Sequence, residues 1–590
     1  MTCTIFKLTT VAALVFAATN ANAALYKVIE LDVPSSIVLG DAQKSYGVAI
    51  QPGSANDGTD DLLLGCFDST AINCSNAPNE NPIENKFLAA VEVRLAEEGA
   101  GDNKKVFEEA VSYREEVPFA MDAAFQYIQE SKDFEKYCDR ELRYNTCNSW
   151  AAKRWNTWSR EINDLTQVNA QAFVEGGTSS ISQFNVIINA LDETGAVLGT
   201  ESNGHDIRHK AVTTVPLNTA SESRAWGALT VDNIVYNFGS ISIKGPVTGT
   251  SSTTFSSKAA VWKDGEVHQF IWSQGNIPQT GDYFAQGSMR GLVANSGKLY
   301  GVGFDTVNGS GDLQDMNASV FVSDSLDISD ATSTWTTKAI SGAEVKSGSS
   351  NDDAFYSNSV ATDINENLFA VGYAKRNGYV PESGSAGNKI FVVKDAANPK
   401  ATFLTGGIFF SGSSGEAKAV NNFNEIVGQI DFDTTREVNG SERGHRGFIY
   451  PYDVASSKNE RRVNIFNGQA WWLDDLTNDG NASGENNKFR IIDATDINDA
   501  GVISATAIKC TVGGTTQPYD TTSHNSYCGG ASSNAVEEVV AVKLVPIRGA
   551  TEKDIQTRST DSVKVDRQGA GLGWLGLTVL GLLGFRRKFK

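Results

Sequence analysis

Histidine spacing, acidic loops, tryptophans and cysteines are the features of this chain with chemical potential. Its histidines are His205, His209, His268, His445 and His524. His205 and His209 stand four apart, which on a helix would set two metal ligands on one face. Their surroundings, GHDIRHK, read as a loop between strands, so a solvated pair is the better account. Asp475, Thr477, Asp479 and Gly480 match the first half of an EF-hand loop, with oxygens at alternate positions and Gly for the turn. Asn486 stands where a bidentate Glu is expected, so the match fails where affinity is set. Asp305, Asn308, Asp312 and Asp315 form a looser second cluster. Calcium is the cofactor these loops suggest, and ordinary turn chemistry explains the same residues.

Trp155, Trp158 and Ile162 share a helical face with Trp150 nearby, and Trp471 and Trp472 are adjacent. Exposed tryptophans stack on sugar rings, but packing between an insertion and its host is the favoured role here. Cys3 lies in the leader described below, which leaves Cys66, Cys74, Cys138, Cys147, Cys510 and Cys528. They fall in three local couples, so the expected bridges are 66–74, 138–147 and 510–528. Zinc is disfavoured, since no C-x-x-C occurs and histidines are few. G-x-S-x-G, Walker A, H-E-x-x-H and dinucleotide-binding fingerprints are all absent. A hydrolytic carboxylate pair cannot be chosen by sequence among 70 acidic residues.

The elements that would position such groups are short and repeated. ATDINENLFAVG from Ala361 returns as ATDINDAGVISA from Ala494 and, varied, as AKAVNNFNEIVGQ from Ala417. Each reads as a strand, an Asn- or Asp-bearing turn, then a strand ending at or near Gly, which is a β-hairpin pattern. Further hairpins are expected at SYGVAI (Ser45) with LLLGCF (Leu62), and at 184–200, 224–243 and 290–304. Most are followed by a short extra strand such as KAAVWKDGEV or RGFIYPYD. Units of three to four strands recurring about seven times imply an all-β, propeller-like array, with a β-sandwich array or β-solenoid as the rival. The strand 24–33 is expected to complete the last unit. Residues 84–168, including FLAAVEVRLAEE, carry apolar residues at helical spacing and are expected to be a helical insertion in the first repeat. The repeat domain is thus 24–548, with 549–568 as a linker.

Both ends speak to location. Lys7, the apolar run Val11–Ala18 and the A-x-A site at Ala21, Asn22 and Ala23 form a secretory leader, 1–23, cut by signal peptidase before Ala24. The formal net charge is −20. Loss of Lys7 and of Arg586, Arg587, Lys588 and Lys590 makes it more negative still. Such a chain repels nucleic acid and anionic lipid. The tail, 569–590, has a Gly-rich start, an apolar segment Leu572–Phe585 and a basic end. That segment is shorter than the roughly 20 residues of a stable span.

The pattern A-x-D-I-N-x-x-G resembles the HAF repeat of bacterial extracellular proteins, best kept at Ala494–Gly501 and Ala361–Gly372. The chain as a whole, with DFEKYCDRELRYNTCNSWAAKRW, resembles an uncharacterised family of exported gammaproteobacterial proteins. GAGLGWLGLTVLGLLGFRRKFK resembles a GlyGly-CTERM sorting tail, with Gly569, Ala570 and Gly571 in place of adjacent glycines. This resemblance implies cleavage by a rhombosortase-type protease, export by type II secretion and transient anchoring in the inner membrane. The expected function is non-enzymatic binding of a surface ligand. A secreted polysaccharide hydrolase and a structural matrix component are the rivals.

Overall fold

The structure, a computed structural model, describes residues 24–558 apart from internal stretches, the longest being 55–85, 96–129, 453–464 and 518–535. The chain is mostly β. Tyr26–Glu30 is β1, and six antiparallel meanders follow it in chain order. Meander I holds β2 (Gln43–Ile50), β3 (Ala89–Leu95) and β4 (Ala170–Val174). Meander II holds β5 (Val186–Leu191), β6 (Val197–Glu201) and β7 (Lys210–Val212). Meander III holds β8 (Glu222–Val231), β9 (Ile234–Pro246), β10 (Thr253–Lys263) and β11 (Glu266–Gln269). A small ribbon, β12 (Gln279–Thr280) and β13 (Tyr283–Phe284), intervenes. Meander IV holds β14 (Gly287–Asn295), β15 (Lys298–Asn308), β16 (Gln314–Ser323) and β17 (Trp335–Ala339). Meander V holds β18 (Tyr356–Ile364), β19 (Ala370–Arg376), β20 (Asn388–Val393) and β21 (Ala401–Phe403). One parallel pairing, Met316 with Asn358, joins IV and V into an eight-stranded sheet. Meander VI holds β22 (Gly415–Val420), β23 (Glu425–Asp431), β24 (His445–Pro451) and β25 (Trp471–Trp472).

A seventh group, meander VII, mixes the two ends of the described chain. β26 (Phe489–Ile497), β27 (Ile503–Val512), the two-residue β28 (Thr515–Thr516) and β29 (Val536–Pro546) take β1 as their outer strand, Tyr26 opposite Pro546. Asn486 fixes that strand, accepting from Val28 N and donating to Tyr26 O, both at 2.9 Å. The completion expected for strand 24–33 is therefore observed, and Asn486 has a structural task.

Two expectations in the first repeat are corrected. FLAAVEVRL is not helical: Ala89–Leu95 is the central strand of meander I. Its alternating Val91, Glu92, Val93 and Arg94 are all buried, as befits a strand covered on both faces. β2 pairs with this strand rather than with LLLGCF, which lies outside the described residues. Helix is present further on, at Ser131–Tyr137 and at residues 147–152. There Phe134, Tyr137 and Trp150 pack around the Cys138–Cys147 disulfide. Arg143 donates from Nε to Gly378 O at 2.9 Å, tying this insertion of meander I to meander V. Residues 550–558, read as linker, lie against the body: Arg558 donates to Asp474 O at 2.7 Å and to Asp475 Oδ1 at 2.8 Å.

Candidate functional site

The first strands of the meanders, β2, β5, β8, β14, β18, β22 and β26, share one irregularity. Each gains one residue against its partner strand, at Val48, Asn189, Trp226, Arg290, Thr362, Lys418 and Thr495. A bulge re-aims side chains and raises local twist. All seven extra residues line one cavity of about 790 Å³. That volume is within the range of small-molecule sites.

The repeated Gly follows from the bulge. In five meanders the residue before the extra one faces a glycine of the second strand: Gly199, Gly239, Gly303, Gly372 or Gly428. A Cβ at Gly372 would collide with Val360 O, and one at Gly428 with Glu416 O. These glycines therefore sit inside their strands, not at the ends that the repeat pattern suggested.

The T-D-I-N core of the repeat is a clasp between neighbouring first strands. Thr362 Oγ1 donates to Ala417 O, and Thr495 Oγ1 to Gly47 O, both at 2.8 Å. Asn189, at the same position, donates to Ala225 O at 2.8 Å. Asp363 Oδ2 accepts from Val420 N at 2.8 Å, and Asp496 Oδ2 from Ile50 N at 2.9 Å. Asn365 donates to Asn421 O, Asn421 to Asn498 O and Asn498 to Gln51 O, at 2.8, 3.2 and 3.0 Å. The same asparagines cap their own turns, whose fourth residues Leu368, Asn424 and Gly501 are left-handed. Meander VII is thereby fastened to meander I as V is to VI.

Elsewhere the bulge side chains do different work. The Arg290 guanidinium lies 3.4 Å from the centre of the Trp226 ring. Lys418 Nζ meets Asp493 Oδ2 at 2.6 Å. Beside them Asp431 takes Arg443 at 3.0 Å and His445 Nε2 at 3.2 Å, while Arg446 meets Asp474 at 3.2 Å. The wall is two-faced. The residues contributed by meanders I–IV include Arg94, Arg290, Trp226 and Asn189 but no carboxylate. Asp363, Glu366, Glu416, Asp493, Asp496 and Asp499 all come from V–VII, where Lys418, Arg443 and Arg446 also line the cavity. Burial pushes the Asp363 carboxyl up to about 7, with the charge of Asp496 adding to it. Burial likewise raises Asp496 to about 6.

The residues singled out by sequence are scattered. His205, His209, His524, Asp312, Trp158, Cys66, Cys74, Cys528 and the tail Gly569, Ala570 and Gly571 lie outside the described residues. Cys138 and Cys147 are bonded as expected, and Cys510 is also disulfide-bonded. Asp305 accepts from Ser273 N at 2.8 Å, and burial raises it to about 6. Asp475 is raised to about 6 for the same reason. Among the described residues no three His, Cys, Asp or Glu side chains gather to hold a metal, and no helix is long and apolar enough to cross a membrane. Trp150 is core, and Trp471 donates to Phe466 O at 2.7 Å. Of the expected chemistry only His445 lines the cavity. Trp226 and Arg290 were missed. Their signal is a one-residue slip in apolar alternation opposite a mid-strand Gly.

Residues 231–588 match the family described as "Protein of unknown function (DUF3466)". No curated protein matches the chain. Three solved glycoside-active proteins show distant likeness. A structure from the GH130 family of mannoside phosphorylases is 10% identical, over 53% of this chain and 82% of that one, with a TM-score of 0.23. An exo-1,5-α-L-arabinanase from a bovine ruminal metagenomic library is 8% identical over 54% and 91%, with a TM-score of 0.21. The GH32 β-fructofuranosidase of Bombyx mori is 9% identical over 57% and 81%, with a TM-score of 0.23. Likeness this low transfers neither fold nor activity.

Proposed function

We propose that this chain, which belongs to the DUF3466 family of unknown function, is an exported seven-bladed β-propeller that binds a small ligand in its central channel. The observation that carries this is the common cavity lined by the bulge residue of all seven first strands. In a propeller the innermost strand of every blade faces the axis. Clasps of one design at V–VI and VII–I, with β1 completing the seventh group, support closure of the ring. Export rests on the leader 1–23, with the tail 569–590 removed by a rhombosortase-type protease during type II secretion. The bridges 66–74 and 510–528 would form on that route.

Binding without catalysis is favoured by how the cavity carboxylates are used. Asp363 and Asp496 are the pair with raised proton affinity, which is what a hydrolase would need. Yet each spends one oxygen on the next meander and the other on its own following N–H, at 2.8 Å. Both oxygens of each carboxylate are thus engaged in holding the backbone. Thermal melting of the exported protein against neutral and acidic mono- to tetrasaccharides tests the proposal. At least one compound should raise the melting temperature, and Ala190→Trp, which narrows the cavity, should reduce the rise. No rise across the panel would sink it. Release of reducing ends that disappears in Asp363→Asn would instead establish a hydrolase.

A further inference from the structure

The two-faced wall narrows the ligand. Resting on the channel-binding proposal above, we infer that the cavity takes a carboxylate-bearing saccharide, a uronic acid or its short oligomer, with the carboxylate against Trp226 and Arg290.

Five features of the wall converge on this chemistry. Meanders I–IV contribute no acid side chain to the wall, and the carboxylates nearest to them, Asp363 beside Gly291 and Asp496 on Ile50 N, already accept from backbone N–H groups with both oxygens. Arg290 supplies a planar guanidinium, the group best matched to a carboxylate. Stacked on Trp226, it is held flat, so little side-chain freedom is lost on binding. Trp226 Nε1 and Asn189 Oδ1, one donor and one acceptor on adjacent bulges, are shut off from water without a hydrogen-bond partner among the described residues. An unmet buried polar atom is costly, and a side-chain shift on binding that opens these two to ligand oxygens would remove the cost. Leu191, Leu229 and Leu292 provide the apolar surface that covers a sugar's C–H face. Across the cavity, Glu366, Glu416, Asn422 and Gln429 offer acceptors for hydroxyl groups.

Isothermal titration of the exported protein with trigalacturonate, and with the neutral trigalactose of the same linkage, tests the inference. The uronate should bind at least tenfold more tightly, and its affinity should fall as salt rises. Trp226→Phe, which keeps the ring but lacks the N–H, and Arg290→Gln should cut that preference to threefold or less. Arg290→Lys, retaining charge without the fork, should fall between. If a variant does not fold, as judged by its melting transition, the salt dependence and the uronate-to-neutral ratio of the unaltered protein still decide. Equal binding of the two saccharides overturns the inference and leaves channel binding intact. Binding of neither, while another compound of the saccharide panel still raises the melting temperature, overturns the inference alone. No rise with any compound overturns both.

Discussion

Neutralising the two clasp aspartates should change how stability depends on pH. Asp363 and Asp496 have ordinary carboxyl values of 3.8 and are raised by burial to about 7 and about 6. A folded-state value above the unfolded one means that the fold prefers the protonated group. The contribution to stability is therefore fully present below pH 4 and is lost as pH climbs through 6 and 7. At about 1.4 kcal/mol per unit, Asp363 accounts for about 4 kcal/mol and Asp496 for about 3. Because part of the Asp363 shift comes from Asp496, the pair together falls below the sum. Asp305 and Asp475, raised to about 6, and Asp315, raised to about 7, act in the same direction. The unaltered protein thus carries a background slope, and the test is a difference. Asp363→Asn combined with Asp496→Asn keeps an acceptor for Val420 N and Ile50 N but removes the ionisable group. Urea unfolding midpoints at pH 4.5, 5.5, 6.5 and 7.5 should diverge, with the variant gaining at least about 2 kcal/mol on the parent across the range. Parallel curves would show that these carboxylates are not held in a dry seam between meanders, and the clasp would have to be abandoned.

The remaining tests probe other parts of the frame. Asn498→Ala removes the 3.0 Å bond to Gln51 O and the cap on its own turn, so a loss of about 2 kcal/mol is expected in urea unfolding. Gly372→Ala sets a Cβ against Val360 O and should cost about 2–3 kcal/mol, whereas an unchanged midpoint would mean the bulge is not tight. Gly501→Ala, at φ 78, should cost about 1 kcal/mol. Replacing Cys138 and Cys147 by Ser should speed proteolysis of residues 131–152 while leaving the main melting transition in place, because the bridge closes a separate small core.

How far the sequence reaches can be judged residue by residue. Hairpins with strong turn chemistry were legible: Asp232 and Asn233, both left-handed, join β8 to β9 as the VDNI stretch implies. The repeat itself was visible, but what its letters do was not. Thr362, Asp363 and Asn365 look like the end of a strand and a turn, yet their partners lie about 55 residues on. Local pattern carries no information about a neighbour at that distance. The helical reading of Ala89–Leu95 failed for a related reason. Ala, Val and Leu buried on both faces abolish the alternation by which a strand is recognised, and Glu92 with Arg94 imitates a helix surface. In the structure Glu92 is instead buried, accepting from Arg94 and from Ile188 N at 3.1 Å.

The strength of the repeat and the location of the candidate site prove to be inversely related. One structural position, the extra residue of each first strand, serves either the joint between neighbouring meanders or the cavity wall. Where it is Thr362, Thr495 or Asn189 it donates to the next strand's carbonyl, and a small polar residue suffices. Where it is Trp226 or Arg290 the two side chains stack on each other and build the wall. Conspicuous copies such as ATDIN therefore mark meanders held together by the clasp. The degenerate copies in III and IV, RAWGAL and MRGLVA, mark those released from it. Exchanging the roles is a direct check: Arg290→Thr should gain stability by about 1 kcal/mol through a restored clasp while losing preference for the acidic saccharide. A variant that keeps the preference would place ligand recognition elsewhere on the wall.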